Sequence, residues 1–255
     1  MTDLRSLSAS DYVGPRLLSP EDGDPADWFT LTELYEGPVR DHMRAFSERS
    51  QAPADTTAAY FTGWIAGLYI RPAVWAWTRH RVLPDYDPDR IAARLNAGHW
   101  YDAVSLGEGR DLSGHAPDVA RKALAEAVKG LGTDLVAAIG PHARLGNRAL
   151  WAHVTDTFAT AFLPRPPLGE EAVTAAAEAD RILAAASFPT PGPRWIHYEG
   201  ATTSVGQSCC LSYKVPGDSN CAPVCPKIKD EDRPADLAAW RDGLPDRKGG
   251  GESCH

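Results

Sequence analysis

The sequence predicts a mainly α protein of the α+β class, with a helical domain, one small β-hairpin and a C-terminal cysteine-rich loop region. Three observations favour this class. Apolar residues recur at helical spacing over most of residues 27–186, two short arms rich in aromatic and β-branched residues flank one Asn-Ala-Gly turn, and four of the five cysteines fall near the C-terminus. We expect residues 1–188 to form the helical domain, residues 189–244 the C-terminal region and residues 245–255 a flexible tail.

The composition is that of an ordinary globular protein. The chain has 255 residues, of which 43% are hydrophobic and 24% charged, so it can bury a core without cross-links. Its net charge of -8 disfavours nucleic acid as the main partner, because phosphate binding needs a basic face. No apolar run approaches the ~18–20 residues that cross a bilayer, so we expect no membrane anchor. The first residues lack the apolar segment of a secretory signal, which favours a cytoplasmic protein.

The first helices have recognisable start and stop signals. Residues 1–25 are polar and contain Gly-Pro and Asp-Pro turn signals, so we expect an irregular lead-in. Thr30 and Glu33 have the spacing of a capping box, which predicts a helix start near residues 27–30. Gly37 and Pro38 should end this helix before a second one begins.

The most apolar stretch covers residues 55–82 and is rich in aromatic residues. Tyr60, Trp64 and Leu68 recur at helical spacing, and Pro72 is expected to kink or restart the helix. Aromatic stripes are usually core, so the ordinary interpretation is a buried central helix with solvated basic ends. The alternative is that some of these aromatic and basic side chains line a binding pocket.

The later segments are predicted from the same two signals, the spacing of apolar residues and the positions of glycine and proline. A β-hairpin is expected with arms at residues 90–95 and 99–106 around Asn96-Ala97-Gly98. Glycine or proline then delimits four predicted helices. They cover residues 117–129, 133–139, 147–163 and 170–186. Beyond a linker at residues 189–193 we expect a short strand at residues 195–198 and a last helix at residues 232–241.

Four cysteines form a compact pattern near the C-terminus, C-C-x10-C-x3-C, at Cys209, Cys210, Cys221 and Cys225. Disulfides, a zinc site and an iron–sulfur cluster are the three possible uses. Disulfides need an oxidising compartment, and a four-cysteine zinc site usually has two closely spaced pairs, whereas only Cys221 and Cys225 approach that spacing. Adjacent side chains in an extended segment point to opposite faces, so Cys209 and Cys210 need a bend to reach one centre. A cluster is a larger target than one zinc ion, but the spacing alone does not decide between them.

The same residues resemble the C-terminal signature of the FhuF-like siderophore-iron reductases. The matching features are the run Cys209-Cys210-Leu211-Ser212-Tyr213, a Pro-Gly turn at residues 216–217 and the pair Cys221 and Cys225 followed by proline. The usual family form is C-C-x10-C-x2-C, so the last spacing here is one residue longer, and residues 204–208 stand where basic residues often precede the cysteine pair. A fainter similarity covers residues 145–154. The resemblance implies a [2Fe–2S] cluster on these four cysteines. Cys254 lies in the glycine-containing tail and is expected to stay free, the alternative being a fifth thiolate that exchanges into the cluster.

The resemblance also implies an oxidoreductase that reduces ferric siderophores in the cytoplasm and so releases iron. The sequence has neither G-x-G-x-x-G nor G-x-x-x-x-G-K-[ST], so electrons should come from a separate donor such as a ferredoxin, a flavodoxin or a flavoprotein reductase. We expect the substrate site close to the cysteine loop, formed by Arg71, Trp75, Arg79 and Trp100. The alternatives are an electron carrier with the same cluster and a zinc-stabilised interaction protein without redox activity.

Overall fold

The computed structural model describes residues 2, 4, 7, 12, 14–21, 24–96, 100–218 and 223–243. Within these residues the fold is mainly α with short strands in small sheets, as the sequence predicts. The helices are α1 (Leu31–Glu36), α2 (Pro38–Ser50), α3 (Ala54–His80), α4 (Pro117–Ile139), α5 (Asn147–Thr160), α6 (Gly169–Ala185) and α7 (Arg233–Asp242). The strands are β1 (Arg16–Leu17), β2 (Trp28–Thr30), β3 (Val82–Pro84), β4 (Ala92–Leu95), β5 (Tyr101–Ser105), β6 (Gly109–Asp111), β7 (Arg194–Tyr198) and β8 (Ala201–Val205).

Helix α3 is the centre of the core and packs against α2, α4 and α5. Phe61, Ile65 and Tyr69 are fully buried along it. The helix runs through Pro72 without a break, so the restart is wrong, and the kink, the other outcome expected at Pro72, stays a prediction. Proline has a φ value that suits a helix and costs one backbone hydrogen bond, and the buried residues on both sides of Pro72 hold the helix together. None of the described helices is long and apolar enough to cross a membrane.

Helix α4 is one continuous helix where the sequence predicts two. Gly130, the expected cap, lies inside α4, and a Cβ atom there would come within 2.9 Å of the Tyr86 ring. A Cβ atom on Gly132 would lie 2.3 Å from the Trp151 ring. These glycines allow two aromatic rings to approach the helix backbone, so they serve packing and not termination.

The other helix boundaries agree with prediction to within a few residues. The capping box is present, because the Thr30 hydroxyl accepts from the Glu33 N–H and the Glu33 carboxylate accepts from the Thr30 N–H. Helices α5, α6 and α7 begin and end within three residues of the expected positions. Cys254 and the predicted tail lie outside the described residues.

The predicted hairpin is formed by the antiparallel strands β4 and β5, and residues 97–99 of its turn lie outside the described residues. It belongs to a four-stranded sheet in the order β1-β5-β4-β2. Strand β1 pairs with β5 in parallel, so the lead-in is not wholly irregular as predicted. Strands β3 and β6 pair separately. The small sheets cover the helical core.

A second hairpin, formed by β7 and β8, directly precedes the loop that carries Cys209 and Cys210. The predicted strand at residues 195–198 is confirmed as β7, whereas β8 was not predicted. Glu199 and Gly200 connect them with φ values of 44° and 82°, the left-handed conformation of a tight hairpin turn. Strand β8 contacts α6, and Thr190 in the predicted linker is buried and hydrogen-bonded to Thr155 at 3.0 Å. The division of the chain at residue 188 stays a prediction.

Candidate metal centre

The chain leaves β8 through a loop that is anchored on α5. The backbone N–H of Gln207 donates to Asp156 Oδ2 at 2.9 Å, and the Gln207 side-chain amide donates to Thr155 Oγ1 at 3.1 Å. A Cβ atom on Gly206 would lie 2.9 Å from the same carboxylate oxygen, so only glycine leaves room for this contact. Half-burial raises the pKa of Asp156 to about 7, although the hydrogen bonds from Gln207 favour its charged form. The loop is therefore fixed two residues before Cys209.

A left-handed residue bends the chain directly after the cysteine pair. Leu211 has a φ of 62°, and its N–H donates to the Cys209 sulfur at 3.4 Å. The left-handed residue follows the pair, so the expected bend between Cys209 and Cys210 stays a prediction. The Leu211 carbonyl accepts from the Thr56 hydroxyl at 3.3 Å, and Lys214 pairs with Asp55 at 2.5 Å, so the far side of the loop is fixed to the first turn of α3. A non-glycine residue held left-handed by surrounding contacts is typical of functional loops.

The structure brings two of the four predicted ligands, Cys209 and Cys225, together from separate parts of the chain, and Cys210 is next to Cys209 in the sequence. Cys209 hydrogen-bonds with the Cys225 thiol, and both Cys225 and Cys210 are close enough to disfavour a negative charge on Cys209. The pKa of Cys209 is raised, first by burial and then by these neighbouring thiols. Cys209 and Cys225 are free thiols. Cys225 is buried, whereas Cys209 and Cys210 are half-buried, so this group lies near the protein surface.

The fourth predicted ligand, Cys221, lies outside the described residues. Within the part of the chain that the structure describes, no three His, Cys, Asp or Glu side chains are arranged closely enough to hold a metal ion. The donor chemistry fits both candidate groups, since four thiolates are the ligand set of a [2Fe–2S] cluster and of a structural zinc ion. The contact between Cys209 and Cys225 is therefore what the described residues contribute to a metal centre of either type.

A buried arginine orders the turn that carries Cys225. The Arg233 side chain is 4% exposed, and its guanidinium donates to the carbonyl oxygens of Pro223, Cys225 and Ile228, with distances of 3.2 Å to Cys225 and 2.6 Å to Ile228. Its Nε atom lies 3.3 Å from Asp230. The guanidinium thus satisfies several carbonyl groups of one short segment and places a permanent positive charge next to Cys225.

A second cation lies over the exposed side of the thiol group. Lys227 Nζ is 4.3 Å from the centre of the Tyr213 ring and 2.5 Å from its hydroxyl. The pKa of Lys227 is raised, first by the bond with Tyr213 and also by the proximity of Cys209 and Cys225. Tyr213 is itself 39% exposed. A cation near the sulfurs stabilises thiolates, which are the forms that bind metal.

The predicted substrate residues lie away from the cysteine loop. Arg71, Trp75 and Arg79 follow one another along the second half of α3, whereas Leu211 contacts Thr56 at its start. Because an α-helix rises ~1.5 Å per residue, Arg71 and Arg79 are roughly 22 Å and 35 Å further along the axis than Thr56. The expected closeness of this segment to the cysteines is not what the structure shows.

These residues also have local roles of their own. Trp75 is buried against Tyr12 and His80, with ring centres 5.2 and 5.1 Å apart. Arg79 lies 3.7 Å from Glu171 of α6. Trp100 is 38% exposed and directly precedes β5, whose Tyr101 packs against Phe61 in the first half of α3. The structure does not join the four residues into one site.

Sequence reasoning missed three residues next to the loop: Asp156, Lys227 and Arg233. Nothing marks Asp156 or Arg233 in the sequence, because each is an ordinary charged residue in or near a helix and acquires its role by burial. Lys227 follows Cys225 by two residues, so its nearness to the thiols could have been inferred from the spacing.

Comparison with known proteins leaves the family open. No protein-family model matches the chain, and no curated protein is significantly similar to it.

Proposed function

We propose that this chain is a cytoplasmic ferric-siderophore reductase that holds a [2Fe–2S] cluster on Cys209, Cys210, Cys221 and Cys225. The observation that carries the proposal is the contact between Cys209 and Cys225 at a half-buried loop that also carries Cys210. The likeness of the cysteine signature to the FhuF-like reductases supports it, and such a cluster, when bound, supplies one electron at a time.

The residues around the thiols fit a redox site. The Leu211 N–H and the Lys227 ammonium favour negative charge on sulfur, and hydrogen bonds and cations near the sulfurs are what set cluster potentials. Half-burial of Cys209 and Cys210 leaves one side of the site accessible to a bulky substrate. The buried Cys225 and the Arg233 contacts hold the opposite side in place.

The substrate chemistry needs only one electron. Ferric ion is a hard cation that siderophore oxygens bind tightly, whereas ferrous ion is bound more weakly and exchanges faster, so reduction releases the metal. The electron donor is a separate protein, such as a ferredoxin, a flavodoxin or a flavoprotein reductase, since the sequence carries no nucleotide-binding motif.

Two other functions use the same thiols. An electron carrier would hold the cluster without binding a siderophore, and an interaction protein would hold zinc and have no redox activity. A cleft beside the loop, lined by Arg148 and Ser208, favours the reductase over the carrier.

Metal and sulfide analysis of anaerobically purified protein tests the proposal. We expect about two irons and two acid-labile sulfides per chain, lost when Cys209, Cys210, Cys221 or Cys225 is changed to serine. Cys254→Ser is the matched control and should retain both. One equivalent of zinc without sulfide would contradict the proposal.

A further inference from the structure

A cleft of about 390 Å³ lies where the cysteine loop meets the start of α5. Arg148, Ala149 and Ala152 contribute one wall, and Gln207 and Ser208 contribute the other. The volume is within the range of ~300–1,000 Å³ that is usual for small-molecule sites. We propose that this cleft binds the oxygen-rich ferric chelate that the protein reduces. The inference rests on the proposed function and assigns its substrate site.

The cleft adjoins the thiols through the covalent chain. Ser208 lines it and Cys209 is the next residue, so their Cα atoms are about 3.8 Å apart. The loop cannot shift freely at this point, because Gln207 is hydrogen-bonded to Thr155 and Asp156 of α5. No cysteine among the described residues lines the cleft, but a chelate there lies against the residue that precedes Cys209, unlike one placed on the Arg71 to Arg79 segment.

The charge of the cleft suits anionic oxygen ligands. Arg148 is exposed in the first turn of α5 and forms no ion pair with any residue that the structure describes. Its guanidinium can donate to hydroxamate, catecholate or carboxylate oxygens by charge-assisted hydrogen bonds. Asp156, the carboxylate bonded to the loop, does not line the cleft.

Small side chains give the cleft its room. Ala149 is half-buried and Ala152 buried, and both present only a methyl group to the space. The Gln207 amide nitrogen already donates to Thr155 and to the Pro191 carbonyl, so it fixes the wall and leaves recognition of charge to Arg148.

Equilibrium titration of the purified full-length protein tests the site. The probes are an uncharged ferric tris-hydroxamate and a strongly anionic ferric tris-catecholate. The binding of each is measured by the quenching of tryptophan fluorescence. Arg148→Gln should weaken binding of the catecholate at least about tenfold, the worth of a lost charge-assisted hydrogen bond. Ala149→Leu, which fills the cleft with a good helix former, should weaken binding of both chelates.

Two controls have the same change in net charge. Arg144 precedes α5 and does not line the cleft, and Arg79 belongs to the site predicted from sequence. The variants Arg144→Gln and Arg79→Gln should both bind the chelates like the parent. If Arg148→Gln and Ala149→Leu also bind like the parent, the cleft assignment is overturned while the reductase function stands. If the parent binds neither chelate, the proposed function falls, and the cleft assignment with it.

Discussion

At the scale of single residues, Arg233 holds the turn that carries Cys225. It is almost fully buried and donates to three carbonyl groups around Cys225, so removing it leaves buried acceptors unsatisfied. Each such acceptor costs about 1–3 kcal/mol. The residue carries no distinguishing mark in the sequence, because its role depends on how the turn folds back on α7.

We predict that Arg233→Met exposes Cys225. The rate of alkylation of Cys225 in the metal-free protein should rise at least about tenfold, since a ~1.4 kcal/mol loss of local stability gives that factor. Arg241→Met is the matched control, because Arg241 lies on the same helix and its ion pairs are with Glu199 and Asp242, not with the turn that carries Cys225. Equal alkylation rates in the two variants would show that Arg233 does not order the turn.

A pair of buried titratable residues on α5 predicts opposing pH dependences. Burial raises the pKa of Asp156 from 3.8 to about 7, so its contribution to the free energy of unfolding is full below about pH 4 and is lost as the pH rises through about 7. Burial lowers the pKa of His153 from 6.5 to about 4, so the unfolded chain binds more protons in that window and stability rises with pH.

The two effects should largely cancel in the parent between about pH 4 and pH 6.5. In Asp156→Asn the free energy of unfolding should rise with pH, because only the effect of His153 remains. In His153→Gln it should fall with pH, because only the effect of Asp156 remains. Urea unfolding at about pH 4.5 and about pH 6.5 measures both slopes. The same slope in both variants would contradict the assigned protonation states.

At the scale of elements, local signals predict helix starts better than helix ends. The Thr30 and Glu33 capping box and the Gly37 break are encoded within a few residues, and the structure confirms both. Gly130 and Gly132 have the local signature of a stop, yet α4 continues because Tyr86 and Trp151 pack against them. These rings come from distant parts of the chain, so no local pattern could reveal them.

Helical glycines offer a direct test of this packing. A Cβ atom on Gly132 would lie 2.3 Å from Trp151, whereas nothing lies within 4 Å of one on Gly63 in α3. Gly132→Ala should therefore destabilise the protein by about 1–3 kcal/mol through overpacking. Gly63→Ala should stabilise it by about 1 kcal/mol, because alanine is the better helix former. Thermal unfolding distinguishes them, and stabilisation by both would mean that Trp151 does not contact α4.

At the scale of the whole molecule, the sequence predicts the candidate ligands but not their surroundings. The cysteine spacing predicts one centre, and the structure places Cys209 against Cys225. The substrate residues were assigned from composition, since aromatic and basic side chains on α3 suit a chelate. Their distance from the loop depends on which end of α3 the C-terminal region contacts. That end is set by the contacts of Thr56 with Leu211 and of Asp55 with Lys214, which join distant parts of the chain and leave no local pattern in the sequence. The cleft beside Ser208 likewise exists only in the folded chain.

Stopped-flow reoxidation tests the central claim most directly. Protein reduced chemically under anaerobic conditions should be reoxidised on mixing with a ferric siderophore, and a ferrous chelator should draw the reaction forward by removing the product. NADH or NADPH should not replace the chemical reductant, because the sequence has no nucleotide-binding motif. Cys209→Ser should abolish or strongly weaken the reaction and Cys254→Ser should leave it unchanged. Reduced protein that is indifferent to every ferric siderophore, yet passes electrons readily to another redox protein, would contradict the reductase and establish a carrier.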